Sequence, residues 1–189
     1  MEIKDLIKTY TILLPEQVSC FLRTFKDFTF ETANIIHKNQ EGIVNKSVRN
    51  VDEYELKIGE TITEDHWYNL ICYKLRNTVQ QYIKENNINL ELKRITNVTL
   101  LKYEKGGFYK THIDHNLNKA PRNLSCVIFL NNDYEGGNLK FYTLDFKEVI
   151  LEVKPEVGKL VIFPSYFMYP HKAETVKKGI RYTIVSWIR

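Results

Sequence analysis

Cysteine is scarce in this chain. Cys20, Cys72 and Cys126 are the three in 189 residues, an odd number, widely spaced and without a Cys-x-x-Cys pair. That argues against a disulfide framework and fits a reducing, cytoplasmic setting. Long apolar runs are missing as well: no stretch approaches the roughly 18 residues needed to cross a bilayer. The amino terminus, Met1-Glu-Ile-Lys-Asp-Leu-Ile-Lys8, is charged throughout, so neither a membrane span nor a processed leader is expected. There is no basic block either. The net charge of +4 rests on 20 Lys and 7 Arg spread along the sequence, which disfavours a nucleic-acid partner. Internal repeats and low-complexity tracts are also absent.

What is present is enough apolar material for one folded core: 43% hydrophobic and 13% aromatic residues. The length fits a single domain spanning 1–189, with 1–96 supplying helices and supporting strands and 97–189 forming the core. Pro15 opens a helix carrying Val18, Phe21, Leu22 and Phe25 on one face. A second helix is expected from Glu64 to about Lys84, with Thr63 as its N-cap and a stripe formed by Trp67, Leu70, Ile71, Leu75, Val79, Tyr82 and Ile83. Between them, residues 28–58 alternate as strands joined by a turn at Gln40-Glu-Gly42. After Ile88, short strands are expected near 88–93, 97–103, 108–113, 123–130, 138–142, 146–153, 159–163, 167–172 and 180–188. Evenly spaced short strands imply a double-stranded β-helix, or jelly roll, backed by the N-terminal helices: an α+β, mainly β, fold.

The densest chemistry lies in Tyr103-Glu-Lys-Gly-Gly-Phe-Tyr109-Lys-Thr-His112-Ile-Asp114, followed by His171 and Arg181. Along a strand, residues two apart share a side, so His112 and Asp114 can hold one metal while Ile113 faces away. His171 completes the set. Two imidazoles and a carboxylate on one face of an octahedral ion leave positions open for an organic ligand and for dioxygen, as expected of a non-haem Fe(II) oxygenase. By strand parity His115 faces away from the metal and reads as a loop residue; His37 and His66 carry no such signal. Arg181-Tyr-Thr183-Ile-Val185-Ser-Trp187 alternates so that Arg181, Thr183, Val185 and Trp187 share one face. An Arg among apolar neighbours needs a partner, and its planar fork suits a carboxylate.

On these residues the chain resembles the Fe(II)- and 2-oxoglutarate-dependent dioxygenases, in their prolyl-4-hydroxylase-like branch. The resemblance covers 98–189 and includes the two tyrosines before His-x-Asp, the strand from Leu124 to Asn131, Glu135-Gly-Gly-Asn-Leu139, Gly158-Lys-Leu-Val-Ile-Phe-Pro164, His171 and Arg181-x-Thr183. It implies that His112, Asp114 and His171 ligate Fe(II), and that Arg181 clamps the distal carboxylate of 2-oxoglutarate. Tyr103, Ser125 and Thr183 match positions that assist the clamp. Tyr109 and Trp187 match positions facing the substrate, and Arg49 resembles an Arg on the substrate-facing strand. Some members carry a Tyr where Ile128 stands. The implied cofactor and cosubstrates are Fe(II), 2-oxoglutarate and O2, with ascorbate as an accessory reductant.

The implied reaction hydroxylates a C–H bond, with a prolyl residue of a protein or peptide as the leading substrate. Other amino-acid side chains, free proline and small metabolites are alternatives within the same chemistry. A nucleic-acid demethylase ranks below them, because such relatives carry a second Arg six residues after the clamp, where Trp187 stands here. A non-catalytic metal-binding jelly roll would usually close its site with a fourth ligand. A zinc hydrolase would leave Arg181 without a role.

Overall fold

The computed structural model describes residues 2–37, 40–115 and 121–189. Helix α1 (Pro15–Phe25) begins with proline at its first turn, where the missing N–H costs nothing, and the Leu14 N–H donates to Gln17 Oε1 at 3.0 Å. Helix α2 (Ile62–Glu85) starts two residues earlier than the sequence implies, with Thr61 rather than Thr63 as N-cap. The reason is Glu64. It sits three residues after Thr61, so the Thr61 hydroxyl accepts from the Glu64 N–H at 3.1 Å while donating to Glu64 Oε2 at 3.2 Å. His66, three residues after Thr63, has no carboxylate with which to do the same, and it is exposed.

The strands form two main antiparallel sheets. The larger runs in the order Lys8–Thr11, Lys159–Pro164, Leu124–Phe129, Arg181–Ile188, Ile95–Tyr103, Asp52–Glu55, Glu31–Thr32; the smaller runs Val149–Val153, Leu139–Tyr142, His171–Ala173, Phe108–His112, Arg49–Asn50. This is the expected jelly roll, and strands from before residue 97 are hydrogen-bonded into both sheets. Lys8–Thr11, which the sequence pattern did not mark, pairs with Lys159–Pro164. Residues 88–93, expected as a strand, have no regular structure, and the Gln40-Glu-Gly42 segment is itself in a strand, Gln40–Ile43, rather than a turn. Residues 38–39, which link that strand to Ile35–His37, lie outside the described residues.

Alternation decides what each central strand contributes. Cys126, Ile128, Leu160, Ile162, Ile184 and Ile188 pack against the helices in one core. Their neighbours Val127, Phe129, Val161 and Phe163 point the opposite way, into a second core shared with Leu139, Phe141 and Val153 of the smaller sheet. Strands buried on both faces read as unbroken apolar runs, as Cys126–Leu130 and Leu160–Phe163 do. At the seam, Gly158 (φ +77°) comes so close to the Leu13 carbonyl that a Cβ would lie 2.0 Å from its oxygen, and Ile12 N–H donates to the Gly158 carbonyl at 3.0 Å. Only glycine fits there.

The helix layer is held by interlocking aromatics: Phe21 meets Trp67 edge-on, with ring centroids 5.2 Å apart and planes at 88°. Phe21→Ala is therefore expected to lower unfolding free energy by about 3–5 kcal/mol, measured by urea denaturation. Tyr73→Ala, on the exposed side of α2, should stay within about 0.5 kcal/mol of the parent.

Candidate metal and carboxylate site

The register of the smaller sheet brings the histidines together. His171 is directly opposite His112 across the pairing of His171–Ala173 with Phe108–His112, and their ring centroids are 4.3 Å apart. Asp114 follows just past the strand end. Ligating atoms of His112, Asp114 and His171 all lie within 4.8 Å of one another; His112 Nε2 is 3.3 Å from Asp114 Oδ1, and His171 Nε2 is 3.7 Å from Asp114 Oδ2.

Both rings are turned the same way. His112 Nδ1 lies 2.8 Å from the Lys110 carbonyl and His171 Nδ1 3.0 Å from the Tyr169 carbonyl. A carbonyl can only accept, so each Nδ1 carries the proton and each Nε2 keeps its lone pair for a metal. Burial, reinforced by neighbouring His112, lowers the His171 pKa to about 4 against the pull of Asp114. The ring is thus neutral at physiological pH, the form a metal needs. Burial pushes the Asp114 carboxyl up, but His171, His112 and the Ser125 hydroxyl outweigh it and hold the group well below the usual carboxylate range. Tyr109 stacks on His112 at 3.5 Å, while Phe163 and Phe141 wall His171 at 4.7 and 5.7 Å.

The cavity in front of these residues measures about 630 Å³ and reaches from the His/Asp cluster to Arg181, Tyr103 and Thr183. Arg181 is 1% exposed, with its guanidinium carbon 4.5 Å from the Tyr103 ring centroid and 5.5 Å from that of Phe129. Among the described residues its Nε and Nη1 have no hydrogen-bond partner, nor do the buried hydroxyls of Thr183 and Tyr134. Among the described residues no carboxylate pairs with it. A buried guanidinium without a partner is costly, so this end of the cavity is built for an anion with several acceptor oxygens.

The sequence-expected residues therefore separate into groups. Tyr103 and Thr183 line the cavity with Arg181. Ser125 does not: its hydroxyl donates to Asp114 Oδ2 at 2.7 Å and meets Ser165 at 2.8 Å. The strand twist and register bring its side chain to the metal end rather than the clamp end. Tyr109 lines the cavity, and burial raises its pKa to about 12, so its phenol stays protonated. Trp187 lines it too, but its indole N–H donates to Asp114 Oδ2 at 3.1 Å. Arg49 lines the cavity half-buried, bound to Glu53 at 3.1 Å and to the Asn34 carbonyl at 2.7 Å, with its guanidinium carbon 5.0 Å from the Tyr109 ring centroid. His115 lines the cavity outside the ligand cluster, with its ring 4.9 Å from that of Tyr166.

Two residues had no signal in the sequence. Arg122 caps the Trp187 ring at 3.6 Å, yet it sits in the irregular stretch before Leu124–Phe129, where no parity applies. Tyr134 reaches Arg181 from a turn. Gly137 allows this approach, since a Cβ there would lie 3.0 Å from the Tyr134 ring and 3.1 Å from Arg181 Cδ.

Replacing His112, Asp114 or His171 with alanine is expected to abolish tight divalent-metal binding while leaving the fold intact, because each removes one of three converging donors. Titration with Mn(II), alongside circular dichroism, measures both. Retained affinity in any one variant would strike that residue from the ligand set.

Comparison with known proteins agrees with this geometry. Residues 98–189 match the model of the 2OG-Fe(II) oxygenase superfamily. Prolyl 3-hydroxylase 1 of Homo sapiens is 41% identical over 66 residues, which is 35% of this chain but 9% of that protein, so the chain spans about a tenth of that curated relative's length. A Pseudomonas putida prolyl-4-hydroxylase structure superposes with a TM-score of 0.72 at 20% identity, covering 99% of this chain and 96% of its own. A Trichoplax adhaerens prolyl hydroxylase structure gives 0.77 at 17% identity, covering 96% and 82%. Residues 98–189 of this chain thus match the 2OG-Fe(II) oxygenase superfamily, and the chain shares the jelly-roll fold of these two prolyl hydroxylase structures.

Proposed function

We propose that the protein is an Fe(II)- and 2-oxoglutarate-dependent dioxygenase that hydroxylates a C–H bond, with a prolyl residue of a protein or peptide as substrate. The observation that carries this reading is the pairing, in one cavity, of a three-donor His/Asp/His face with a buried Arg181 whose Nε and Nη1 have no partner among the described residues. The residues fit both groups. His112, Asp114 and His171 would hold Fe(II), and Arg181 with Thr183, Tyr103 and Tyr134 would hold the far carboxylate of 2-oxoglutarate. When bound, Fe(II) with 2-oxoglutarate and O2 supplies an oxidant that places one oxygen atom on the substrate while 2-oxoglutarate becomes succinate and CO2.

The chain's own residues do the rest. Phe141, Phe163 and Tyr109 exclude water from the imidazoles, which keeps the surroundings dry and the electrostatic contacts strong. Arg49, Arg122 and His115 add polar groups to the cavity lining. A peptide substrate is supported by the similarity to prolyl 3-hydroxylase 1 and to the Trichoplax prolyl hydroxylase, whose structure is a complex with a hypoxia inducible factor peptide fragment. Its three unpaired cysteines support a reducing, cytoplasmic site of action. Ascorbate would serve only to return oxidised iron to Fe(II).

Incubation of a proline-containing peptide panel with the protein, Fe(II), 2-oxoglutarate and O2 should yield a +16 Da product and succinate. Product formed without 2-oxoglutarate would overturn the reading. Arg181→Ala is expected to weaken 2-oxoglutarate binding by roughly 10- to 150-fold, the worth of a charge-assisted contact of about 1.5–3 kcal/mol, with metal affinity retained. Calorimetric titration of the Mn(II)-loaded protein checks this; an unchanged affinity would place the clamp elsewhere.

A further inference from the structure

We infer that Trp187 and Ser125 are positioning residues that fix which oxygen of Asp114 meets the metal, and thereby how many metal positions stay open. The inference rests on the metal reading above and assigns both residues roles other than the substrate wall and the carboxylate clamp.

The argument begins with the lone pairs of Asp114. Its two oxygens offer about four acceptor sites between them. Oδ2 accepts from Ser125 Oγ at 2.7 Å and from Trp187 Nε1 at 3.1 Å, which occupies both of its sites. Oδ2 also lies 3.7 Å from His171 Nε2, but with its acceptor sites taken; Oδ1 faces His112 Nε2 at 3.3 Å and has no hydrogen-bond donor among the described residues. The free lone pair that points into the ligand cluster therefore belongs to Oδ1.

Both donors are themselves locked. Ser125 and Ser165 are each 1% exposed, with their hydroxyls 2.8 Å apart. Since Ser125 gives its proton to the carboxylate, Ser165 must donate to Ser125. The Trp187 indole is pinned by the Arg122 guanidinium, stacked 3.6 Å from the ring centroid, and Arg122 also reaches the Asp114 carbonyl at 3.4 Å. Strand pairing adds a further constraint, because Trp187 is directly opposite Ser125 in the register of Arg181–Ile188 on Leu124–Phe129. One cross-strand pair thus delivers both hydrogen bonds to one oxygen.

The consequence concerns coordination number. Bound through Oδ1 alone, Asp114 takes one position and the histidines two, which leaves three of an octahedral set open. Chelation through both oxygens would break a hydrogen bond to Oδ2 and close one of those three. The dyad holds the carboxylate in the form that leaves room for a two-point organic ligand and one further small molecule.

The test uses the full chain and Mn(II) alone, with Asp114→Ala as the control that must not bind. Trp187→Phe keeps an aromatic ring and loses the N–H; Ser125→Ala loses the hydroxyl and Ser125→Thr retains one. Trp187→Phe and Ser125→Ala should each weaken Mn(II) binding about 10- to 100-fold, with Ser125→Thr within about threefold of the parent. The Co(II) visible spectrum of Trp187→Phe should shift, reporting a changed coordination number. A packing role alone would lower the unfolding midpoint of the metal-free protein and leave Mn(II) affinity and the Co(II) spectrum where they were. Parental affinity in Trp187→Phe or in Ser125→Ala, or Ser125→Thr as weak as Ser125→Ala, overturns the inference. A parent chain that binds no Mn(II) overturns the metal assignment itself, a separate result.

Discussion

The register between Phe108–His112 and His171–Ala173 is the constraint on which the site depends. Side chains alternate across a strand, so a slip of one residue would turn His171 away from the cavity and leave two donors where three are needed. The fold fixes that register from both sides of the smaller sheet. Leu139–Tyr142 pairs with His171–Ala173, and Phe141 stands opposite His171. Arg49–Asn50 pairs with Phe108–His112, with Arg49 opposite Tyr109. The aromatic neighbours of the imidazoles are thus also the residues that hold their strands in register.

Two charges, half-buried Asp114 and buried Arg181, give the cavity its direction. Asp114 accepts from a serine hydroxyl and an indole N–H, whereas Arg181 has two aromatic rings beside it and unmet donors on its guanidinium. A folded chain retains such an arrangement when ligands supply what the protein lacks. A divalent cation answers the first end, and a carboxylate answers the second. A molecule with a carboxylate at one end and metal-binding oxygens at the other spans them, and 2-oxoglutarate has this form.

Much of this was legible in the sequence because it follows from alternation. The shared face of Arg181, Thr183, Val185 and Trp187 lines the cavity, the His112/Asp114 spacing converges on His171, and the periodicity of Val18, Phe21 and Phe25 gives α1. What the sequence hid was set by tertiary contact. Thr61 caps α2 because Glu64 is buried and also accepts from Tyr54 at 2.7 Å. Lys8–Thr11 is an edge strand with an alternating half-buried pattern too short to read. Ser125 has the residue type for a carboxylate clamp, but its place opposite Trp187 turns it to Asp114. Tyr134 and Arg122 lie in irregular segments, where no periodicity predicts direction.

Isotope labelling tests the central claim most directly. Turnover of 2-oxoglutarate by the Fe(II)-loaded protein under ¹⁸O2, followed by mass spectrometry of succinate, needs no knowledge of the prime substrate. The account predicts succinate carrying one ¹⁸O atom from dioxygen, with Arg181→Ala producing far less of it at the same 2-oxoglutarate concentration. Succinate that is unlabelled, or no succinate from a protein that binds both metal and 2-oxoglutarate, would contradict it.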